Sequence, residues 1–138
     1  MADLVDENLA QAGLGLLQAD VGMTTYDGVV PDGAAVPYLL VYTTVKWPAG
    51  EAGAANAING QAVTAVVEWT CHGVGETAAA ARAMQMRARA ALLNQRPTVA
   101  GRSCGLIQQD EVLAPVRDET TGRLLMDAVS IYSMVSAL

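Results

Sequence analysis

The stretch from Gln61 to Pro97 constrains this chain more than any other. It opens with an alternating run, Gln61-Ala-Val-Thr-Ala-Val-Val-Glu-Trp-Thr-Cys-His72. Val63, Ala65, Val67, Trp69 and Cys71 fall on one face. Thr64, Glu68, Thr70 and His72 fall mostly on the other. A period of two predicts a strand with one face buried and one turned to solvent or a partner. The chain then turns at Gly73-Val-Gly-Glu-Thr77, and an alanine-rich helix follows from Ala78 to about Asn94, stopped by Pro97. Thr77 or Gly75 caps its start. Ala79, Ala83, Met86, Ala90 and Leu93 form the stripe predicted to lie on the sheet, with Arg82, Gln85 and Arg89 opposite.

The other segments read as elements added around this pair. Asp3 to about Ala19 is a first helix, with Val5, Leu9, Ala12, Leu16 and Leu17 near helical spacing. Asp3, Asp6 and Glu7 suit its positive N-terminal end. Gly13 and Gly15 weaken it by roughly 1 kcal/mol each, and would permit a close neighbour. Val21 to Asp27 is a candidate strand, and Gly28 to Pro37 a loop with the turn signal Pro31-Asp-Gly33. Tyr38 to Val45 is a strand rich in β-branched and aromatic residues.

Lys46 to Gly60 is a long loop of Gly, Ala and Asn that carries Trp47 and Ile58 as possible anchors on a partner. After Pro97, a short strand is predicted near Cys104 to Gln108, and an extended run from Gln109 to Pro115. Arg117 to Arg123 is a polar hairpin turn. The last strand, Leu124 to about Ser136, puts Asp127, Val129, Ile131, Ser133 and Val135 on one face. Met126, Ala128, Ser130, Tyr132 and Met134 lie on the other. The predicted order is helix, two strands, a strand, a helix, then three strands. This is α+β: one domain, a mostly antiparallel twisted sheet, partly rolled, with both helices packed on its outer side.

A chain of 138 residues buries roughly 68% of its unfolded surface, enough for a core without disulfides or metal. Over half of its residues are apolar, yet it has no Phe, and its mean hydropathy is +0.28. Two readings stand: a thin core that leaves apolar surface for subunit contacts, and a composition that is simply rich in alanine. No apolar run reaches the roughly 20 residues of a membrane span, and the acidic start does not read as a signal peptide. The expected location until the protein assembles is therefore the cytoplasm. A net charge of −6 argues against tight nucleic-acid binding, but suits a surface past which DNA slides. Cys71 and Cys104 show no paired spacing, and with one His a zinc site is not expected.

No catalytic constellation is expected. His72 lies on the polar face of a strand, and no serine sits in a nucleophile elbow. Cys104 has Arg102 nearby but no base motif. Asp110-Glu111 and Asp118-Glu119 read as solvated pairs, because neighbours on an extended chain point apart. No phosphate loop is present, and no cofactor is expected. Arg82 and Arg89 share a helix face, with Arg96 in line beyond. They are candidates for a seam that meets acids on a neighbouring subunit.

A set of short motifs in order carries a resemblance. They are Pro37-Tyr-Leu-Leu-Val-Tyr42, Val67-Glu-Trp-Thr-Cys-His-Gly-Val-Gly-Glu-Thr77 and Ala88-Arg-Ala-Ala-Leu-Leu-Asn94. Arg96-Pro97, Val99-Ala-Gly-Arg-Ser103, Pro115-Val-Arg-Asp118 and Leu125-Met-Asp-Ala-Val-Ser-Ile-Tyr132 follow. Over residues 37 to 135 the chain resembles the tail terminator, or tail completion, proteins of long-tailed bacteriophages. Where that family often has a short acidic turn after the second strand, this chain has the long loop from Lys46.

The resemblance implies a structural virion protein rather than an enzyme. It implies a hexameric ring that caps the head-proximal end of the tail tube and stops tube growth. Its partners would be the tail tube protein and a head-completion or neck protein, at the head–tail junction. The genome would pass through the lumen without specific binding. The helix from Thr77 would face outward, and Thr64, Glu68 and Thr70 would line the lumen. Trp47, Ile58 and Asn59 on one loop, and Arg117, Asp118, Glu119 and Arg123 on another, would meet neighbouring rings. Two alternatives stand: a tail tube subunit or other neck component, and a small ligand-binding or hydrolase-like α+β domain.

Overall fold

The computed structural model describes residues 2–47, 57–58, 61–62, 64–120 and 122–138. The helices are α1, Ala2–Gln18, and α2, Ala78–Leu92. The strands are β1 (Thr25–Asp27), β2 (Tyr38–Lys46), β3 (Ala57–Ile58), β4 (Gln61–Ala62), β5 (Thr64–Gly75), β6 (Ser103–Cys104), β7 (Gln108–Val112), β8 (Val116–Asp118) and β9 (Leu125–Ala137). The fold is α+β. One mixed sheet runs β1-β2-β5-β9, and β6, β7 and β8 share the far side of β9. Only β1 with β2 is parallel within it. β3 and β4 form a separate small hairpin.

The long strands β5 and β9 are the spine, paired in unbroken register from Thr64↔Ala137 to Gly75↔Met126. Their alternation is as predicted. Ala65, Val67, Trp69 and Cys71 are fully buried, as are Ala128, Ser130 and Tyr132. α1 adds Leu9, Leu14 and Leu17 to the same core. Trp69 sits at its centre and donates Nε1–H to the Ala10 carbonyl at 3.1 Å, so the indole is satisfied as well as buried. Tyr132, directly opposite Trp69, accepts from Gln109 Nε2 at 3.1 Å. A smaller cluster of Tyr38, Val74 and Leu125 closes the other end under Val30 and Val36.

Six expectations need correction. β5 does not turn at Gly73 but runs to Gly75, because both glycines are needed for α2 to lie close. A Cβ at Gly73 would meet the Ala81 carbonyl at 2.8 Å, and one at Gly75 would meet Ala80 Cβ at 2.6 Å. That approach selects the buried stripe of α2. Ala81, Met84, Gln85, Ala88 and Leu92 face the sheet, whereas Ala79, Ala83, Met86 and Ala90 are exposed and Leu93 is half-buried. Alanine recurs on every side of the helix, so its own pattern does not choose a face.

Gln85, expected outside, is buried. It donates to the carbonyls of Leu113 (3.0 Å) and Val129 (2.9 Å), tying the end of β7 to β9. The first strand is only Thr25–Asp27 and parallel to β2, and the segment after α2 makes four described strands rather than three. The hairpin turn is also shorter than Arg117 to Arg123, because Arg117 and Asp118 pair with Met126 and Leu125. Thr77 caps α2, its hydroxyl accepting from Ala80 N–H at 3.1 Å.

Candidate functional site

With both helices on one side, β2, β5 and β9 present a second face that no helix covers among the described residues. Cross-strand register sets its rows: Thr44–Glu68–Ser133, Tyr42–Thr70–Ile131 and Leu40–His72–Val129. Thr64, Glu68 and Thr70 all lie on this open face and are half-buried. Lys46, Glu68, His72 and Asp127 on it have partners within the sheet. Lys46 Nζ stands 3.5 Å from Glu68 Oε2. His72 Nδ1 lies 3.0 and 3.2 Å from the two oxygens of Asp127. The Tyr42 ring meets the His72 ring edge-on at 5.5 Å between centroids. An imidazole held this way by a carboxylate is an ordered polar group. The face carries apolar Val66, Val129 and Ile131 between these pairs, each half-buried.

The two predicted contact loops emerge at opposite ends of the sheet. Lys46↔Val66 and Thr64↔Ala137 mark one end, where the chain leaves β2 towards residues 47–63. Tyr38↔Val74, Gly75↔Met126 and Asp118↔Leu125 mark the other, where the 119–124 turn closes β8 onto β9.

At the first end, Trp47 is turned back on its own chain. Its Nε1–H donates to Asp6 Oδ1 at 3.0 Å, and the Arg102 guanidinium lies 5.2 Å from its ring centroid. Ile58 pairs with Gln61 in the small hairpin, and Asn59 lies outside the described residues. At the second end, Arg117 pairs with Glu119 at 2.8 Å and Arg123 with Glu76 at 3.1 Å. Asp118 accepts from Thr120 N–H (2.9 Å) and Oγ1–H (2.7 Å), which hold its carboxyl below the usual range. Beside them Val30, Pro31, Val36, Tyr38, Arg123 and Leu125 line a recess of about 300 Å³.

Arg82 and Arg89 lie on one flank of α2, beside its buried stripe, both exposed. No ion pair reaches either among the described residues, unlike Arg87, which binds Asp20 through Nε at 2.8 Å. Asp20 and Asp127 could not be found from the sequence because each partner is far away along the chain. Among the described residues no group of His, Cys, Asp and Glu could hold a metal ion. Among the described residues no helix is long and apolar enough to cross a membrane. Cys71 is fully buried, which pushes its thiol up to about 12, so it is no nucleophile.

No protein-family model and no curated protein matches the chain. Among solved structures, it is similar to a chain in the structure titled "Virion of native gene transfer agent (GTA) particle". That likeness has a TM-score of 0.69 and 18% identity, over 94% of this chain and 95% of the other. At that identity the likeness establishes the fold.

Proposed function

We propose that this chain is a structural protein of a phage-like virion. Within it, the chain is the subunit of a ring, hexameric by family resemblance, that caps the head-proximal end of the tail tube. The observation that carries the reading is the end-to-end likeness to a chain of a gene transfer agent virion. Two features of the site support the finer role. Contact loops at opposite ends of one sheet give a subunit two axial surfaces, which a ring between tube and neck requires. The open face, with its lysine held by Glu68 and the chain at −6, suits a lumen wall past which DNA slides without being held. α2 then faces outward, and Arg82 and Arg89 are available to acids of a neighbour. In this role the protein has neither substrate nor cofactor.

Deletion of the gene tests the reading. Overlong tails with unattached heads are expected, restored by the gene in trans. Absence of any tail tube would instead mark a tube subunit. Normal particles would sink both virion readings. Negative-stain images of the protein bound to tube ends should show one finite ring, not open tubes.

A further inference from the structure

β1 covers only the first half of the outer edge of β2. The pairing ends at Asp27↔Val41, and β2 continues to Lys46. Leu39 N–H donates to Thr24 and the Val41 carbonyl accepts from Gly28, so odd-numbered residues of β2 aim their backbone groups outward. Beyond Val41 these are the N–H and C=O of Thr43 and Val45. They have no hydrogen-bond partner among the described residues. Thr43 Oγ1 is buried beside them and is also unpartnered. On the far side of the sheet, no described strand pairs with the other edge of β7. Just before β7, Ile107 bonds both of its backbone groups to Asn94 and Gln95, so the open part of that edge begins after it. Gln108, Asp110, Glu111 and Val112 on it are exposed.

We infer that the free edge of β2, from Thr43 to Lys46, takes β7 of a neighbouring copy as its next strand, joining the sheets of successive subunits around the ring. This rests on the ring reading above. Strand direction permits it. β2, β5, β9 and β7 alternate in sense, so β7 of an identically oriented neighbour lies antiparallel to β2.

Charge selects the partner edge. Edge charges and a bulge, such as the shift between Gln109 and Glu111, ordinarily block strand pairing. Here the two edges differ: β7 carries Asp110 and Glu111, whereas β2 carries Lys46, which shares its charge with Glu68 at 3.5 Å and is still more than half exposed. Like edges meet with like charge, whereas β2 against a neighbour's β7 meets with opposite charge. Only that heterologous contact repeats around a ring. The open faces of joined sheets then form one continuous inner wall.

Disulfide trapping in assembled particles tests this. Thr44 shares the open face with Gln108 and Glu111, whose partners Ser133 and Ile131 lie on it. In a Cys104→Ser background, Thr44→Cys is combined in turn with Gln108→Cys and with Glu111→Cys. Buried Cys71 stays out of exchange. One combination should give a ladder of covalent oligomers on oxidation, absent from every single variant. Val45→Pro, which removes one outward N–H, should lower ring assembly at least tenfold, with Val45→Ala as the packing control.

Rings that assemble without a ladder, and with Val45→Pro at the Val45→Ala level, would overturn the edge pairing and leave the ring reading intact. Protection of the Thr43 and Val45 amides from exchange in the free subunit would also overturn it, since the chain's own segment would then fill the edge. Particles without any ring would sink both.

Discussion

Gly13 of α1 lies flat against the indole of Trp69, so close that a Cβ at Gly13 would overlap the ring. The same approach lets Ala10, one turn earlier, accept the indole hydrogen bond. Gly13→Ala should therefore destabilise the fold although alanine is the better helix former. Overpacking costs about 1–3 kcal/mol and the helix gains about 1, for an expected net loss of up to about 2 kcal/mol. A methyl group at Gly15, two residues on, would meet nothing within 4 Å. Gly15→Ala should gain up to about 1 kcal/mol. Urea unfolding of both variants checks the pair, and equal effects would contradict the packing.

Gln85 is the polar pin of the helix–sheet contact. It spends both amide hydrogens on the Leu113 and Val129 carbonyls. Gln85→Leu keeps the size but strips those hydrogen bonds, at an expected cost of about 1–3 kcal/mol. The damage should be local as well as global. Leu113 N–H, bonded to the Val129 carbonyl at 2.9 Å, should exchange faster in the variant than in the parent. Unchanged exchange there would mean that β7 does not depend on Gln85.

The faces of β5 and β9 were legible because a strand with one buried side writes that side into every second residue. Thr64, Glu68 and Thr70 were thus placed on the open face by period alone. The buried face of α2 was not legible. Ala79, Ala81, Ala83 and Ala88 look alike, and the deciding groups, Gly73 and Gly75, sit in β5 and read as a turn. The His72–Asp127 pair depends on the β5–β9 register across 55 positions, which no local pattern encodes. The same register sends the loops after Lys46 and after Asp118 to opposite ends.

Asp20 and Arg87 link the exit of α1 to α2. The hydrogen bonds from Arg87, helped by Gly22 N–H, hold the Asp20 carboxyl below its ordinary value of 3.8. A depressed folded-state value stabilises the fold above the unfolded value, and that contribution is lost as pH falls through the folded one. Asp20→Asn should therefore lower Tm at pH 7 by a small amount, because the pair is half-exposed. The gap to the parent should begin to close below about pH 4 and vanish further into acid. Tm measured from pH 7 to 2 tests it; a gap that widens in acid would contradict the assignment.

The two ends of the sheet should fail separately. At one end, Arg117, Glu119 and Arg123 are exposed and form ion pairs only within their own chain. Surface pairs of this kind contribute about 0–1 kcal/mol, so replacing Arg117 and Arg123 with Ala leaves the fold standing. At the other end, replacing residues 48–60 with a short turn removes β3 and its pairing with β4, and leaves the residues that pair β2 with β5 unchanged. If each end meets a different neighbour, particles from the two variants should show different defects. One variant should give overlong or uncapped tubes, and the other tails of normal length that fail to join heads. Electron microscopy of the two lysates reads the difference directly. The same defect from both variants would mean that a single axial surface makes all the contacts, and the sandwiched-ring reading would fall.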